Sequence, residues 1–379
     1  MNRLIYDRQR RLAQRIRRQL NETHELVSRL ATHEEILPVL QRLPRKTIEA
    51  IAVESRTLPW QARIFAMYVV QHWGAGGLVR AASRPLLGGK WLRIEALRIL
   101  ALAEHPASEQ LLEKAVFAND DDLVGAAVSL LGHRNDLRSA RLLVTALRLG
   151  SYSRSRTATQ IDRLSIPIPH LLTGLLADRH PKVRFWAATL LQRYAGSAKI
   201  NRLLALASDD SDPEVRKAAI ETLGKAGGPQ AAESALRRLD DPVWYVRAHA
   251  VKALGDLRRL DFAPGVVPLL GDKEWWVRAA AKQALRAMGP PVAPDVIPYL
   301  DSRDMFARNG AAEILQDLGV LDEMLAEAVR NDRKDEMLLI RKIMTAAAEG
   351  FVQAAIGRAE PAMKPRLLRV LKRAGVQAA

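Results

Sequence analysis

Short apolar stretches at helical spacing alternate with acidic turns along most of the chain. In one stretch Ala231, Ala235, Leu236 and Leu239 recur at the spacing that places side chains on one face of a helix. Such stretches end at an acidic turn that often contains proline, as at residues 241–242. Aspartate caps the start of a helix and proline suits its first turn, so a second helix is expected to follow. The pattern predicts an all-α chain of paired short helices.

The second helix of each pair carries a recurring motif. It reads DSDPEVRKAAIETLG from Asp210, DDPVWYVRAHAVKALG from Asp240 and GDKEWWVRAAAKQALRAMG from Gly271. We call the arginine of this motif the register arginine; it recurs at intervals of 32, 31, 31 and 30 residues at Arg184, Arg216, Arg247, Arg278 and Arg308. The glycines that follow it are expected to end the second helix, because glycine adopts the left-handed cap conformation without a Cβ clash. They are Gly224, Gly255, Gly289 and Gly319.

One such helix pair is too small to bury its own apolar faces, so neighbouring pairs must stack. The sequence therefore predicts an α-α superhelix, or solenoid, of about ten helix pairs. We expect a basic amphipathic helix at 1–30, the solenoid at 31–353 and a basic capping helix at 354–379. Residues 151–169 are rich in Ser, Thr and Arg and read as an irregular insertion; a recognition loop and a decayed repeat are both open.

The consensus D-x-x-P-x-V-R-x-x-A-A-x-x-L-G resembles the HEAT-like repeats of the phycobilisome-lyase (PBS-lyase) type, which are common in bacteria. The resemblance is strongest over residues 170–320 and weaker over 57–135. It implies an armadillo-like helical solenoid. The family includes bilin lyases, scaffolds and regulators, so the resemblance leaves the function open.

An aspartate precedes most register arginines by six residues. The pairs are Asp178/Arg184, Asp210/Arg216, Asp241/Arg247 and Asp272/Arg278, whereas Arg308 has Ser302 at this offset. We interpret these residues as a structural ladder that links the turns of adjacent repeats, because arginine and carboxylate groups form bidentate bonds. A row of arginines for binding phosphate is the alternative.

Aromatic residues stand two or three positions before the register arginine. They form a candidate partner-binding ridge of Trp244, Tyr245, Trp275, Trp276 and Phe306. Consecutive helical residues point about 100° apart. In each aromatic pair, one ring is therefore expected to pack between repeats and the other to be partly exposed. Packing alone would explain these residues, but protein interfaces are also rich in Trp, Tyr and Phe.

The net charge of +16 is concentrated at the two ends of the chain. Residues 1–20 carry +6 and residues 354–379 carry +5, which leaves +5 for residues 21–353. Arg8, Arg11, Arg15 and Arg18 flank an apolar stripe and could contact an anionic membrane surface. A helix that caps the first repeat is the alternative. A nearly neutral body argues against a groove that follows nucleic acid along its length.

The sequence offers no residues on which to place catalysis. It has no cysteine, and its eight histidines do not follow metal-binding spacings. We therefore predict no enzyme activity, no cofactor and no metal. The leading hypothesis is a cytoplasmic protein-binding scaffold, with a peripheral position at the inner membrane as an option. A nucleic-acid-binding protein like the HEAT-like DNA glycosylases, and a bilin-lyase-like subunit, are the alternatives.

Overall fold

The computed structural model describes residues 66–67, 69–71, 74–83 and 89–320, and in the C-terminal part 323, 341–342, 356–357, 361 and 364–373. Helices dominate these residues, and no strand occurs among them. The predicted all-α class of stacked helix pairs is confirmed. The chain divides into two compact units, Met1–Ile168 and Pro169–Ala379, a boundary that the sequence analysis did not anticipate.

The first unit contains three helix pairs between residues 75 and 163. Its helices are α1 (Ala75–Ser83), α2 (Gly89–Leu102), α3 (Ala107–Val116), α4 (Asp121–Gly132), α5 (Leu137–Leu149) and α6 (Arg154–Arg163). Helix α6 lies in the segment expected to be irregular, yet it packs on α4 and α5 and buries Thr157, Ala158 and Ile161. A buried apolar face therefore orders residues 154–163 as a helix.

The second unit contains five helix pairs between residues 169 and 317. The α-helices are α7 (Pro169–Leu175), α8 (Pro181–Leu190), α9 (Ala198–Ala207), α10 (Pro213–Ala226), α11 (Pro229–Arg237), α12 (Trp244–Leu257), α13 (Ala263–Val266), α14 (Trp275–Met288), α15 (Ala293–Val296), α16 (Met305–Asp317) and, further on, α17 (Lys364–Arg373). The second helices α8, α10, α12, α14 and α16 pack on one another in sequence. Val246, Val277 and Leu371 belong to one core that begins at Ile220 in α10, so α17 also packs on this unit.

Prolines break the first helix of the last two pairs. Residues 260–271 form a 3-10 turn, the short helix α13 and a second 3-10 turn, and residues 290–301 repeat this arrangement around α15. Pro264, Pro268, Pro294 and Pro298 lie within these segments. Since proline has no N–H and fixes φ, a continuous α-helix is disfavoured there.

Two of the four expected glycine caps are wrong. Gly289 and Gly319 do adopt positive φ values of 88° and 75° at helix ends. Gly224 and Gly255 lie inside α10 and α12, which continue to Ala226 and Leu257. These two glycines permit close packing instead: a Cβ on Gly255 would lie 2.8 Å from the Cα of Ala284 in the next second helix.

Candidate functional site

The register arginines join successive repeats through bidentate bonds. The Nε and a terminal nitrogen of Arg216 donate to the two carboxylate oxygens of Asp241, at 2.8 and 2.7 Å. The other terminal nitrogen of Arg216 donates to the carbonyl oxygens of Asp210 and Ser211 in its own repeat. Each arginine therefore holds the backbone of its own turn and the carboxylate of the next.

This arrangement recurs at three steps, which we call the Asp–Arg ladder. Its carboxylate bonds join Arg184 to Asp210, Arg216 to Asp241 and Arg247 to Asp272, with N–O distances of 2.7–2.8 Å. The aspartate six residues before each arginine contributes only its backbone carbonyl to that arginine. The carboxylate partner is thus one repeat further along than the intra-repeat pairs drawn from the sequence.

Each ladder carboxylate also shapes its own turn. One oxygen of Asp241 accepts the backbone N–H of Val243 at 3.0 Å, and those of Asp210 and Asp272 accept the N–H groups of Asp212 and Glu274. Burial raises the pKa of Asp241, but the bonds from Arg216 and the Val243 N–H outweigh it and leave the pKa below its ordinary value. The carboxylate is therefore ionised at neutral pH and tied to two neighbouring turns.

The ladder ends at Arg278. Ser302 occupies the position that aspartate holds in the three preceding repeats. Arg278 keeps its bonds to the carbonyl oxygens of Asp272 and Lys273, at 2.8 and 3.1 Å. Its Cζ lies 4.2 Å from the centroid of the Phe306 ring. Arg308 likewise donates to the carbonyl oxygens of Ser302 and Arg303.

The aromatic ridge, defined as Trp244, Tyr245, Trp275, Trp276 and Phe306, lies at the start of the second helices α12, α14 and α16. Tyr245 is half-buried against the core of the second unit, whereas Trp244 is 37% exposed. This pair shows the expected division between packing and exposure. Burial raises the pKa of Tyr245, and its bond to Glu214 of the preceding repeat raises it further.

The expectation is wrong for Trp275 and Trp276, because both rings are exposed, at 57% and 59%. The next residue, Val277, is fully buried and fills the core position at the start of α14. The two indoles pack edge-to-face on each other with centroids 4.6 Å apart. Phe306, the ring that contacts Arg278, is also exposed, at 47%.

The middle of the second helices carries a different, polar surface. His249 Nδ1 lies 3.0 Å from Glu221 Oε1, and Lys282 Nζ lies 2.7 Å from Glu313 Oε2 in the following repeat. A shallow open groove between α12 and α14 is lined by Lys252, Asp256 and Gln283 with small residues between them. Pairs that satisfy each other across repeats are typical of a packed, solvated helix surface.

Comparison with known proteins identifies the repeat. The family model for HEAT repeats matches residues 168–255 and 232–316. Residues 168–316 form HEAT repeats. No sequence among the curated proteins matches the chain.

Several solved structures are similar to this chain. The karyopherin Kap121p bound to the SUMO protease Ulp1p is similar with a TM-score of 0.50 and 14% identity, covering 90% of this chain and 45% of Kap121p. The CpcE–CpcF complex of phycocyanin lyase from Nostoc sp. PCC7120 is similar with a TM-score of 0.34 and 23% identity, covering 55% of this chain and 88% of that one. Human deoxyhypusine hydroxylase follows at 0.29 and 18%, covering 66% and 98%. The likeness to Kap121p concerns the fold alone.

Other predicted features are placed only in part. Arg8, Arg11, Arg15 and Arg18 lie outside the described residues. Within the described part of the chain, no His, Asp and Glu side chains cluster in a way that could hold a metal ion. None of the helices described there combines the length and apolar character of a membrane span. The two candidate functional features of the described HEAT repeats are therefore the Asp–Arg ladder and the aromatic ridge.

Proposed function

We propose that this chain is a non-catalytic protein-binding scaffold, and that a protein partner docks on the aromatic ridge of its HEAT repeats. The observation that carries the proposal is the simultaneous exposure of Trp275 and Trp276 at the start of α14. Large aromatic side chains contribute most strongly to protein interfaces, where they bury much area at a small cost in conformational entropy.

The ridge stands on a rigid support. The turn before α12 is held by the bond of Arg216 to Asp241, and the turn before α14 by the bond of Arg247 to Asp272. Edge-to-face contacts between neighbouring rings restrict the indoles further, with centroids 4.6 Å apart at Trp275 and Trp276 and 5.6 Å apart at Trp244 and Tyr245. A pre-ordered surface loses little entropy on binding, which favours affinity.

The test is affinity purification of partners with the full chain and its variants. Trp244→Ala combined with Trp275→Ala should remove the recovered partner while the circular dichroism spectrum stays helical. Trp91→Ala is the matched control, because Trp91 is 68% exposed but lies in the first unit. Equal recovery with the ridge variant and the wild-type chain would discard the ridge as the docking site.

A cytoplasmic location, with a peripheral position at the inner membrane, extends this proposal. The supporting feature is the charge of +6 within residues 1–20, which suits an anionic surface. Nucleic-acid binding remains the second candidate on the strength of the net charge of +16 alone. The small net charge of residues 21–353 argues against it, since duplex binding needs cations along the whole contact.

A further inference from the structure

The break in the Asp–Arg ladder leaves an arginine with unused donors. One terminal nitrogen of Arg278 donates to a backbone carbonyl oxygen of its own turn, as in Arg184, Arg216 and Arg247. In those three, the remaining Nε and terminal N–H groups bind a carboxylate of the next repeat. Among the residues described, 89–320 included, no carboxylate takes that place on Arg278, because Ser302 stands where the aspartate would be.

Ser302 takes over only one of the two roles of the missing aspartate, that of accepting a backbone N–H in its own turn. Its hydroxyl oxygen accepts the backbone N–H of Asp304 at 3.2 Å, as Asp272 accepts that of Glu274. The turn is therefore formed without a carboxylate. The contact of Arg278 with the Phe306 ring supplies no oxygen acceptor for its N–H groups, since the ring attracts the charge of the guanidinium.

The surroundings of Arg278 join this cation to apolar surface. Phe306 is in contact with it, and the exposed Trp275 and Trp276 begin the same helix. Lys273 and Arg303 are exposed in the two adjoining turns. The carboxylate of Asp304 is occupied at the start of α16, where it accepts the N–H of Ala307 at 2.8 Å. Asp272 and Asp301 in these turns pair with Arg247 and Lys342. The four cations Lys273, Arg278, Arg303 and Arg308 then outnumber the two carboxylates of Glu274 and Asp304, so the local charge favours an anionic ligand that also carries apolar groups.

We propose that this end of the ladder binds an acidic segment of a partner protein, whose Asp or Glu carboxylate takes the free donors of Arg278 while neighbouring apolar side chains cover Trp275, Trp276 and Phe306. The inference rests on the proposed function and specifies the chemistry of the partner. A carboxylate is favoured because three identical arginine positions in this chain select one, in bidentate geometry. A protein ligand is favoured over a small anion because only a protein can cover the exposed aromatic rings with apolar side chains.

One substitution would supply the missing carboxylate for Arg278 from the chain itself. Ser302→Asp restores the residue of the preceding repeats and should bind Arg278 intramolecularly, leaving the three rings unchanged. Ser302→Asn is the matched control, because it keeps a side-chain acceptor for the Asp304 N–H but adds no charge. We expect Ser302→Asp to raise the melting temperature and Ser302→Asn to leave it nearly unchanged.

The binding test uses a phage-displayed library of random twelve-residue peptides selected on the immobilised full chain. Enriched peptides should contain Asp or Glu next to Leu, Phe or Trp. One enriched peptide and its twin with Gln or Asn at the acidic positions are then titrated by fluorescence polarisation. The twin, and the original peptide on Ser302→Asp, should each bind at least about tenfold more weakly, as expected for loss of a charge-assisted bond. Binding to Ser302→Asn should match the wild-type chain.

The controls separate this inference from the proposed function. Trp275→Ala with Trp276→Ala should weaken both the acidic peptide and its neutral twin. If Ser302→Asp binds the acidic peptide as tightly as the wild-type chain, the carboxylate site is wrong while the aromatic ridge stands. If no peptide is enriched, or if phosphatidylglycerol vesicles bind instead and are released by Ser302→Asp, the acidic protein segment is wrong. Unchanged partner recovery with the ridge variant overturns the proposed function itself.

Discussion

The carboxylate of Asp241 accepts two hydrogen bonds from Arg216, although the two residues belong to successive repeats. Both side chains are buried, and Asp241 is only 3% exposed. A buried ion pair adds little when compared with apolar residues of the same volume, but removal of one partner leaves a charge without compensation. The ladder should therefore be sensitive to single substitutions and tolerant of paired ones.

Arg216→Ala should lower the free energy of unfolding by up to about 3–5 kcal/mol, because the buried Asp241 would lose its bidentate partner and keep only the longer ion pair with Arg238, at 3.5 Å. Urea unfolding followed by circular dichroism measures this change. Arg237→Ala is the control: Arg237 pairs with Glu233 and with Asp209 of the preceding repeat, but all three side chains are exposed, so its loss should cost less than about 1 kcal/mol. Equal losses for the two variants would contradict a structural role of the ladder. The double variant with Arg216→Met and Asp241→Leu should be more stable than Arg216→Ala.

Acid should weaken the ladder in a defined direction. In Asp210, Asp241 and Asp272 burial raises the pKa, but the bonds from Arg184, Arg216 and Arg247 outweigh it, so each folded-state pKa lies below the ordinary 3.8. A depressed pKa stabilises the fold fully above the unfolded value and loses this contribution as the pH falls through the folded value.

The melting temperature should therefore drop below about pH 4. Asp241→Asn should melt lower at neutral pH, yet lose less than the wild-type chain between about pH 5 and about pH 3. Thermal unfolding at a series of pH values provides the comparison. A steeper acid loss in the variant than in the wild-type chain would show that other carboxylates dominate.

The close contact at Gly255 should make a single methyl group destabilising. Gly255→Ala would place a Cβ 2.8 Å from both the Cα and the Cβ of Ala284, so α12 and α14 must move apart. Overpacking of this kind costs about 1–3 kcal/mol. Gly174→Ala is the matched control, because a Cβ there meets no atom within 4 Å and should be neutral or slightly stabilising. A neutral Gly255→Ala would mean that the helix contact adjusts freely.

The basic N-terminal segment should dominate binding to anionic surfaces. Replacement of Arg8, Arg11, Arg15 and Arg18 by Gln should strongly reduce co-sedimentation with anionic vesicles and retention on heparin at low salt. A control removes the same charge from exposed positions of the body, at Arg141, Arg163, Arg179 and Arg202. Equal effects of the two sets would show a response to net charge alone. Tighter binding to duplex DNA than to vesicles would favour the nucleic-acid alternative.

The sequence predicted the fold well because its signal repeats. The spacing of Arg184, Arg216 and Arg247 marks each second helix, and the apolar pattern around them marks the core. The sequence could not show that each arginine reaches the aspartate one repeat ahead, since the residue six positions earlier is equally plausible from spacing alone. The missing aspartate at Ser302 was visible, but its meaning depends on that three-dimensional offset.

The positions of Gly224 and Gly255 were misread for a similar reason. A glycine near a helix end predicts a cap, whereas the actual turn after α10 occurs at Gly227 and that after α12 at Arg258, both with positive φ. A clue was present in the sequence: Gly224 and Gly255 are 31 residues apart, and so are Ala253 and Ala284. Small residues recurring at one repeat length indicate close contact between neighbouring helices.

In the first unit, the position of the register arginine at 125 is glycine. A Cβ on Gly125 would lie 2.7 Å from the ring of Tyr152, so the aromatic side chain occupies the space that an arginine would need. Arg156 donates to the Tyr152 hydroxyl at 3.2 Å rather than to a carboxylate of another repeat. At residue 125, packing thus takes the place of the ladder arginine, while Lys90 pairs with Asp120 across successive helix pairs of the same unit.

The one-way bonding of the Asp–Arg ladder has a consequence for how such a chain changes length. The arginine and the aspartate of each link are 25 or 26 residues apart in the sequence. After duplication or loss of one whole 31-residue repeat within residues 184–272, each arginine would therefore still lie next to an equivalent aspartate. Insertion or deletion of a segment of another length would leave buried arginine or aspartate side chains without an ionic partner. Growth by complete modules therefore costs little stability, and the last arginine of the series, Arg278 in this chain, is left without a carboxylate among the described residues.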